Sequence, residues 1–400
     1  MVPNGWKLIT LENIADSTTA IRYGVVQIGE YTENGIPIVP IKFIKSIDTA
    51  KLHRASSSIE GKYKNSRIQA GDVLISVKGT IGAVGIVPEG FLGNIAREIA
   101  RIRPSDKYDS NYIAFQLQAD HTQREIENLT VGTTRKEFSI HTLKKFEILV
   151  PPLSEQQKIA QILSTWDQAI SATEKLLKNS QQQKKALMQQ LLTGKKHLLD
   201  ENGVKFSRAW KHIKLRSLIK EIKGDKEENP NNIELLTVKL HNKGAIASGK
   251  FPNSTEGGRP YYKRFAGELI IGRQNLHNGG VAIVPSECNG LIASNAISSF
   301  EVLKGCDINF ILSVMSTSHF RYVIDNLTGG TGQKEVSVRE LLNVSVLFPC
   351  VQEQQKIAKV LIVADQEIET LRKKLDCLKQ ERKALMQQLL TGKKRVKVAA

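Results

Sequence analysis

The sequence predicts an α+β protein built as an internal pseudo-two-fold repeat, with two strand-rich domains separated by two long, antiparallel, coiled-coil-like helices. Three observations predict it. First, KALMQQLLTGKK stands at Lys185–Lys196 and again, unchanged, at Lys383–Lys394, and EQQKIA stands at Glu155–Ala160 and Glu353–Ala358; both offsets are 198 residues. Identity of that length marks a duplication. Second, each constant segment carries an unbroken heptad pattern. Third, each variable segment carries short apolar runs bounded by Gly, Pro and Asn, the pattern of strands.

In chain order, the reading gives a strand-rich domain over 1–150, a first helix over 151–196, a linker over 197–208, a second domain over 209–348, a second helix over 349–394 and a basic tail over 395–400. In the first domain the strand candidates include IPIVPI, DVLISV, VGIVP and FEILVP; in the second they include ELLTV, ELIIG, VAIVP and VSVLFP. One helix is predicted before a basic turn in each, over Ser110–Leu129 and Ile308–Leu327.

The first long helix has no Pro or Gly from Ser154 to Leu192. Its seam runs Ile159, Leu163, Trp166, Ile170, Thr173, Leu177, Ser180, Lys184, Leu187, Leu191, spaced 4, 3, 4, 3. The second seam runs Ile357, Leu361, Ala364, Ile368, Leu371, Leu375, Leu378, Arg382, Leu385, Leu389. Ser154 and Gln157 read as a capping box, while Gly194 and Gly392 read as C-terminal caps. Two such helices in one chain are expected to pair with each other as rods of roughly 60 Å. Lys184 and Arg382 fall at equivalent seam positions. Burying a cation is costly, so the seam is expected to splay or admit solvent there.

The net charge of +17 points to a polyanionic partner, nucleic acid ahead of lipid or acidic protein. The N-terminal segment has no apolar stretch of signal-peptide type, and no run approaches the roughly 18 apolar residues of a membrane span, so a cytoplasmic protein is expected. Cys288, Cys306, Cys350 and Cys377 form no CxxC pair, and the histidines lack ligand spacing, which argues against a disulfide framework and a zinc site. No catalytic constellation stands out. GTIGAVG at Gly79–Gly85 does not open a helix, GGTGQKE at Gly329–Glu335 departs from a phosphate-binding loop, and an Asn/Asp-Pro-Pro-aromatic methyltransferase turn is absent.

Binding has more support. GTTRKEFS and GGTGQKEVS follow the short helix of each half, and their Thr134, Arg135, Lys136, Thr331, Gln333 and Lys334 suit phosphate contacts and base edges. A second surface comprises Lys78 and Thr80 in SVKGT and Arg273, Gln274, Asn275 and His277 in GRQNLHN. The competing reading of both is an ordinary polar loop.

With these features assembled, the chain resembles the specificity (S) subunits of type I restriction–modification enzymes over essentially its whole length. PPLSEQQKIAQIL and QEQQKIAKVL at the helix starts, the twice-used KALMQQLLTGKK and the two basic turns carry the resemblance. The Pro-Pro and Ser of the first helix lead-in are missing from Phe348–Gln352. The resemblance implies that each variable part is a target recognition domain reading half of a bipartite double-stranded DNA site. It implies that the helices set the spacing and dock two methyltransferase (M) subunits, which restriction (R) subunits join. The S chain then binds no cofactor of its own; S-adenosylmethionine, ATP and Mg belong to the partners. The divergence of the two variable parts implies an asymmetric target. Leu176, Met188, Leu192, Met386 and Leu390, apolar positions beyond the seam, are the expected docking residues. A methylation-only specificity subunit and a basic nucleic-acid-binding coiled-coil scaffold are the alternatives.

Overall fold

The computed structural model describes residues 2–47, 52–132, 136–206, 209–253, 258–327 and 335–398. It divides into two compact units, Met1–Glu174 with Lys373–Ala400, and Lys175–Arg372. Each unit therefore takes part of both long helices.

The first unit is strand-rich. β1 (Lys7–Thr10), β2 (Arg22–Tyr23), β3 (Ile36–Val39), β4 (His53–Ala55), β5 (Val73–Ser76), β6 (Val84–Ile86), β7 (Asn94–Ile95), β8 (Ile99–Ile102) and β9 (Glu147–Val150) are joined by α1 (Leu11–Ile14), α2 (Ser57–Glu60), α3 (Ser110–Gln118), α4 (Asp120–Asn128) and α5 (Ile140–Lys145). The sheets are β2-β8-β5-β6, β4-β3-β7 and β1-β9. Side-chain alternation along β5 and β8 sorts two cores. Val73, Ile75, Ala100 and Ile102 face the core containing α3, while Leu74 and Ile99 face a core closed by Val39, Ile68 and Ile95.

The long helix α6 (Leu153–Leu191) leads to the second unit, whose strands are β10 (Lys211–Lys214), β11 (Ile219–Ile222), β12 (Leu236–Val238), β13 (Ala245–Ala247), β14 (Tyr261–Lys263), β15 (Leu269–Gly272), β16 (Val281–Ile283), β17 (Ile292–Ser294), β18 (Ile297–Val302) and β19 (Ser345–Phe348). Its short helices are α7 (Ile308–Met315), α8 (Ser318–Leu327) and α9 (Val338–Asn343), and the second long helix is α10 (Val351–Leu389). Sheet β11-β18-β15-β16 repeats the order of β2-β8-β5-β6, and β10-β19 repeats β1-β9.

Within each unit the long helices run antiparallel. In the first, Glu155, Asp167 and Glu174 meet Arg395, Arg382 and Lys379 in reverse order. In the second, Ser180 donates to Glu367 at 3.1 Å and Lys184 pairs with Asp365. Every predicted seam residue is buried or half-buried. The seam does not splay at its cations: Arg382 forms a two-toothed pair with Asp167, and Lys184 pairs with Asp365. Their side chains keep 22% and 25% of their surface, so each charge meets an opposite charge at the seam margin without full desolvation.

Three local readings are corrected. The single helices predicted before the basic turns are each two helices. Ala119 breaks the first with φ −65° and ψ 140°. At the second break Thr317 Oγ1 accepts from Phe320 N–H at 3.1 Å, capping α8. Ser154 is not an N-cap either, because α6 begins at Leu153 and the Pro152 carbonyl accepts from Glu155 and Gln156 N–H.

The repeated motifs have intrachain roles in both units. Gln156 Oε1 accepts from Asp109 N–H and its Nε2 donates to Pro151 O, both at 2.9 Å; Gln354 does the same with Asp307 and Pro349, both at 2.9 Å. Buried Glu155 pairs with Arg395, and buried Glu353 pairs with His197 at 2.9 Å. Gly194 and Gly392 sit at φ +69° and +70°, the left-handed turn that ends each helix. A Cβ on Gly392 would meet Pro3 Cγ at 2.5 Å.

Candidate nucleic-acid interface

The structure brings the two basic surfaces of the first half together, and in the second half it brings Arg273 to Glu335, the residue that follows the basic turn. In the first unit, β5 ends at Ser76, and the chain turns through Lys78, Gly79 and Thr80 before β6. Gly79 has φ +72°, a conformation that favours glycine. Ser76 Oγ donates to Thr80 O at 2.6 Å and accepts from Ala83 N–H at 2.8 Å, which fixes the tip and leaves the Thr80 side chain exposed. Phe138 N–H donates to Val77 O at 2.9 Å and seats the segment after the basic turn against this tip.

Lys78 Nζ lies 3.1 Å from Glu137 Oε1 and 4.6 Å from the Tyr23 ring centroid, and Tyr23 Oη donates to the same carboxylate oxygen at 2.9 Å. The Tyr23 hydrogen bond, followed by Lys78, holds the Glu137 carboxyl below its ordinary value. Burial, then the hydrogen bond to Glu137, pushes the Tyr23 phenol up. Lys136 is exposed and lines a cleft of about 560 Å³ with Gly79, Arg124, Thr130 and Lys383.

The second unit repeats the juxtaposition. Arg273 Nη2 lies 2.8 Å from Glu335 Oε1 and donates to Asn295 O at 3.0 Å; Val336 N–H donates to Arg273 O at 3.3 Å. Arg273 opens a 3-10 turn, Arg273–Asn278, that also carries Gln274, exposed Asn275 and His277. The Asn275 carbonyl takes Gly280 N–H, and His277 Nε2 lies 2.9 Å from Asn278 Nδ2. Thr134, Arg135, Thr331, Gln333 and Lys334 lie outside the described residues.

Sequence reasoning missed Glu137 and Glu335, the acids that anchor Lys78 and Arg273. They stand 198 residues apart in the two Lys-Glu pairs of the basic turns, so the repeat itself held the signal. Tyr23 carried none.

The docking residues need correction. Met386, Leu390 and Leu192 are 7%, 0% and 7% exposed, because the ends of both long helices sink into domain cores, so these three offer no surface to a partner. Met188, the counterpart of Met386 across the repeat, is half-buried against the second core. Leu176 is exposed.

Among the described residues, no group of His, Cys, Asp or Glu could hold a metal ion, and no helix is long and apolar enough to cross a membrane. A strand-rich domain with a basic hairpin tip tethered by an acid, built with stretches of two antiparallel long helices, occurs in each unit and defines a duplicated α+β scaffold. The chain belongs to the family described as "Type I restriction modification DNA specificity domain", whose sequence profile matches residues 3–181 and 208–380. It is a type I restriction–modification specificity subunit with two target recognition domains.

Among relatives, it is 28% identical over 195 residues to the EcoBI specificity subunit of Escherichia coli, a match covering 48% of this chain and 41% of that subunit. It is 22% identical over 416 residues to the MjaVIII specificity subunit of Methanocaldococcus jannaschii, covering 99% of this chain and 94% of that one. The crystal structures of the S subunit from M. genitalium and of HsdS from Thermoanaerobacter tengcongensis share the fold, with TM-scores of 0.62 and 0.51, each at 16% identity and with 98% of both chains covered.

Proposed function

We propose that each target recognition domain reads one half of an asymmetric, bipartite double-stranded DNA site. One observation supports this most: the acids 198 residues apart, Glu137 and Glu335, tether Lys78 and Arg273, so both domains hold the cation of a basic hairpin tip by the acid that follows the basic turn in sequence. An ion pair that orients a cation without burying it leaves it able to meet phosphate or a guanine edge. On this reading Lys78, Thr80 and Lys136 serve the first half-site, with Arg273, Gln274, Asn275 and His277 serving the second. The five interface residues outside the described set belong to the same turns.

The long helices set the spacing between half-sites and dock two methyltransferase subunits, with Leu176 on the docking face; restriction subunits complete the assembly in the cytoplasm. The chain is a non-catalytic subunit and binds no cofactor. S-adenosylmethionine, ATP and Mg belong to the partner subunits.

The test exchanges residues 1–150 for the matching domain of another specificity subunit, co-expresses the hybrid with its methyltransferase and sequences methyladenine in genomic DNA. One half-site should change while the other half-site and the gap stay. If both half-sites change, or neither does, the reading fails.

A further inference from the structure

The first domain carries a second basic feature, on the opposite face of sheet β2-β8-β5-β6. A cleft of about 660 Å³ is lined by Thr18, Arg22, Lys64, Arg67, Arg101 and Arg103, among others, and no carboxylate is in its lining. Two of these five cations are neutralised from behind. Arg67 grips buried Glu60 at 2.8 and 2.6 Å, and Arg103 grips buried Asp72 at 2.7 Å through both Nε and Nη2. Arg101 is only 3% exposed, yet it is held by carbonyls, Arg67 O at 2.9 Å and Ala20 O at 2.8 Å, while its Nε has no partner. Burial is the largest influence on this guanidinium and pulls its pKa below the ordinary arginine value. Arg22 and Lys64 are exposed and form no ion pair among the described residues.

The carboxylate that reaches Arg101 is Asp72, which Arg103 already grips; a buried positive charge that shares its counter-ion is costly, and a localised anion nearby offsets that cost. In the second domain Arg264, 4% exposed, likewise donates to a carbonyl, Ile297 O at 2.6 Å, and has a partnerless Nε, but its cleft of about 370 Å³ holds Glu221 beside Lys223 and Arg273, so it does not repeat the carboxylate-free lining. Strand β2 joins the two basic features of the first domain. Its residue Arg22 lines the cleft, and its neighbour Tyr23 lies under Lys78.

We propose that the cleft between the Ser17–Arg22 segment, the Lys64–Gln69 turn and Arg101 binds the phosphodiester backbone of the DNA whose bases the first domain reads. Arg22 and Lys64 contact phosphate oxygens, and Arg101 supplies a fixed field beneath them. The inference rests on the DNA reading above. It adds that this anchoring carries no sequence information.

The test uses the full-length chain and a short fluorescent DNA duplex, titrated from about 50 to 200 mM salt. The double variant Arg22→Ala/Lys64→Ala is compared with Lys7→Ala/Lys107→Ala, which removes two exposed charges from the same domain outside the cleft. The cleft variant should flatten the dependence of log affinity on log salt by about two units, equally on every duplex sequence, and the control should not. Equal slopes for the two variants overturn the proposal while leaving the DNA reading intact. A loss confined to some sequences also overturns it, because it would make these residues base readers. Titration of the wild type with inorganic phosphate separates the sources: saturable phosphate binding lost in the cleft variant, with an unchanged DNA slope, would assign the cleft to a free anion and overturn the duplex. Salt-insensitive DNA binding by the wild type would sink both readings.

Discussion

Arg382 forms a two-toothed ion pair with Asp167, its Nη2 lying 3.1 Å from Oδ2, and the residues 198 positions away repeat the pairing as Lys184 with Asp365. The cation in each seam is thereby matched to an aspartate on the opposite helix. A double-mutant cycle of Arg382→Met and Asp167→Asn, read by chemical unfolding, should give a coupling of about 0.5–1 kcal/mol, since both groups keep contact with water. A coupling near zero would mean the pair has no role in holding the helices together.

Glu353 is fully buried and takes Trp210 Nε1–H at 3.0 Å while pairing with His197 at 2.9 Å. Glu353→Ala leaves the indole donor without its acceptor and should cost about 1.5–3 kcal/mol in thermal or urea unfolding. Trp210 fluorescence should change in the native state of the same variant, and an unaltered spectrum would contradict the contact.

Acid should loosen the first domain through Glu60. The hydrogen bonds from Arg67, the largest influence, hold its carboxyl below the ordinary 4.5, and the Asn94 amide contributes in the same direction. The folded state thus takes up this proton at lower pH than the unfolded chain. The contribution is present in full above about pH 4.5 and is lost as pH falls through the depressed folded value. Arg67→Met should flatten unfolding free energy against pH below that point. An unchanged acid limb would show that the pair does not govern it.

Met386 and Leu176 separate structure from docking. Met386→Ala empties a buried site and should destabilise by about 2–4 kcal/mol. Leu176→Ala should change stability by less than about 0.5 kcal/mol and weaken capture of the methyltransferase subunit in a pull-down. Full capture by the Leu176 variant would remove that residue from the docking face.

Within the proposed interface, Lys136→Ala should weaken binding to all duplexes alike and lower the salt slope by about one unit. Arg273→Ala should relax the choice of base at one position of the second half-site by roughly 1–3 kcal/mol. If Arg273→Ala acts uniformly on all sequences, its role is phosphate contact.

The long helices were legible because heptad spacing, the absence of Pro and Gly and the terminal glycines all agree along Leu153–Leu191 and Val351–Leu389. The seam cations were visible, but their partners were missed, although Asp167 and Asp365 stand at the repeat offset. The break at Ala119 left no trace, since alanine favours helix and only the tertiary fold holds it extended. Half of the candidate interface was legible as paired basic loops. The cleft at Arg101 was not, because its lining is gathered from positions 17 to 103 and local composition cannot show which cations share a wall. The buried ends of the helices were misread as docking surface because a heptad pattern does not say what covers its flanks.

Arg395 donates to the backbone carbonyl of Asn4 at 2.8 Å while pairing with Glu155, and its guanidinium lies 5.8 Å from the Trp6 ring. In the second unit His197 pairs with Glu353 and packs edge-on against Trp210, which follows it through a short connecting segment. Asn4, Trp6 and Arg395 thus close over Glu155 at the start of α6 in the first unit, as His197 and Trp210 close over Glu353 at the start of α10 in the second.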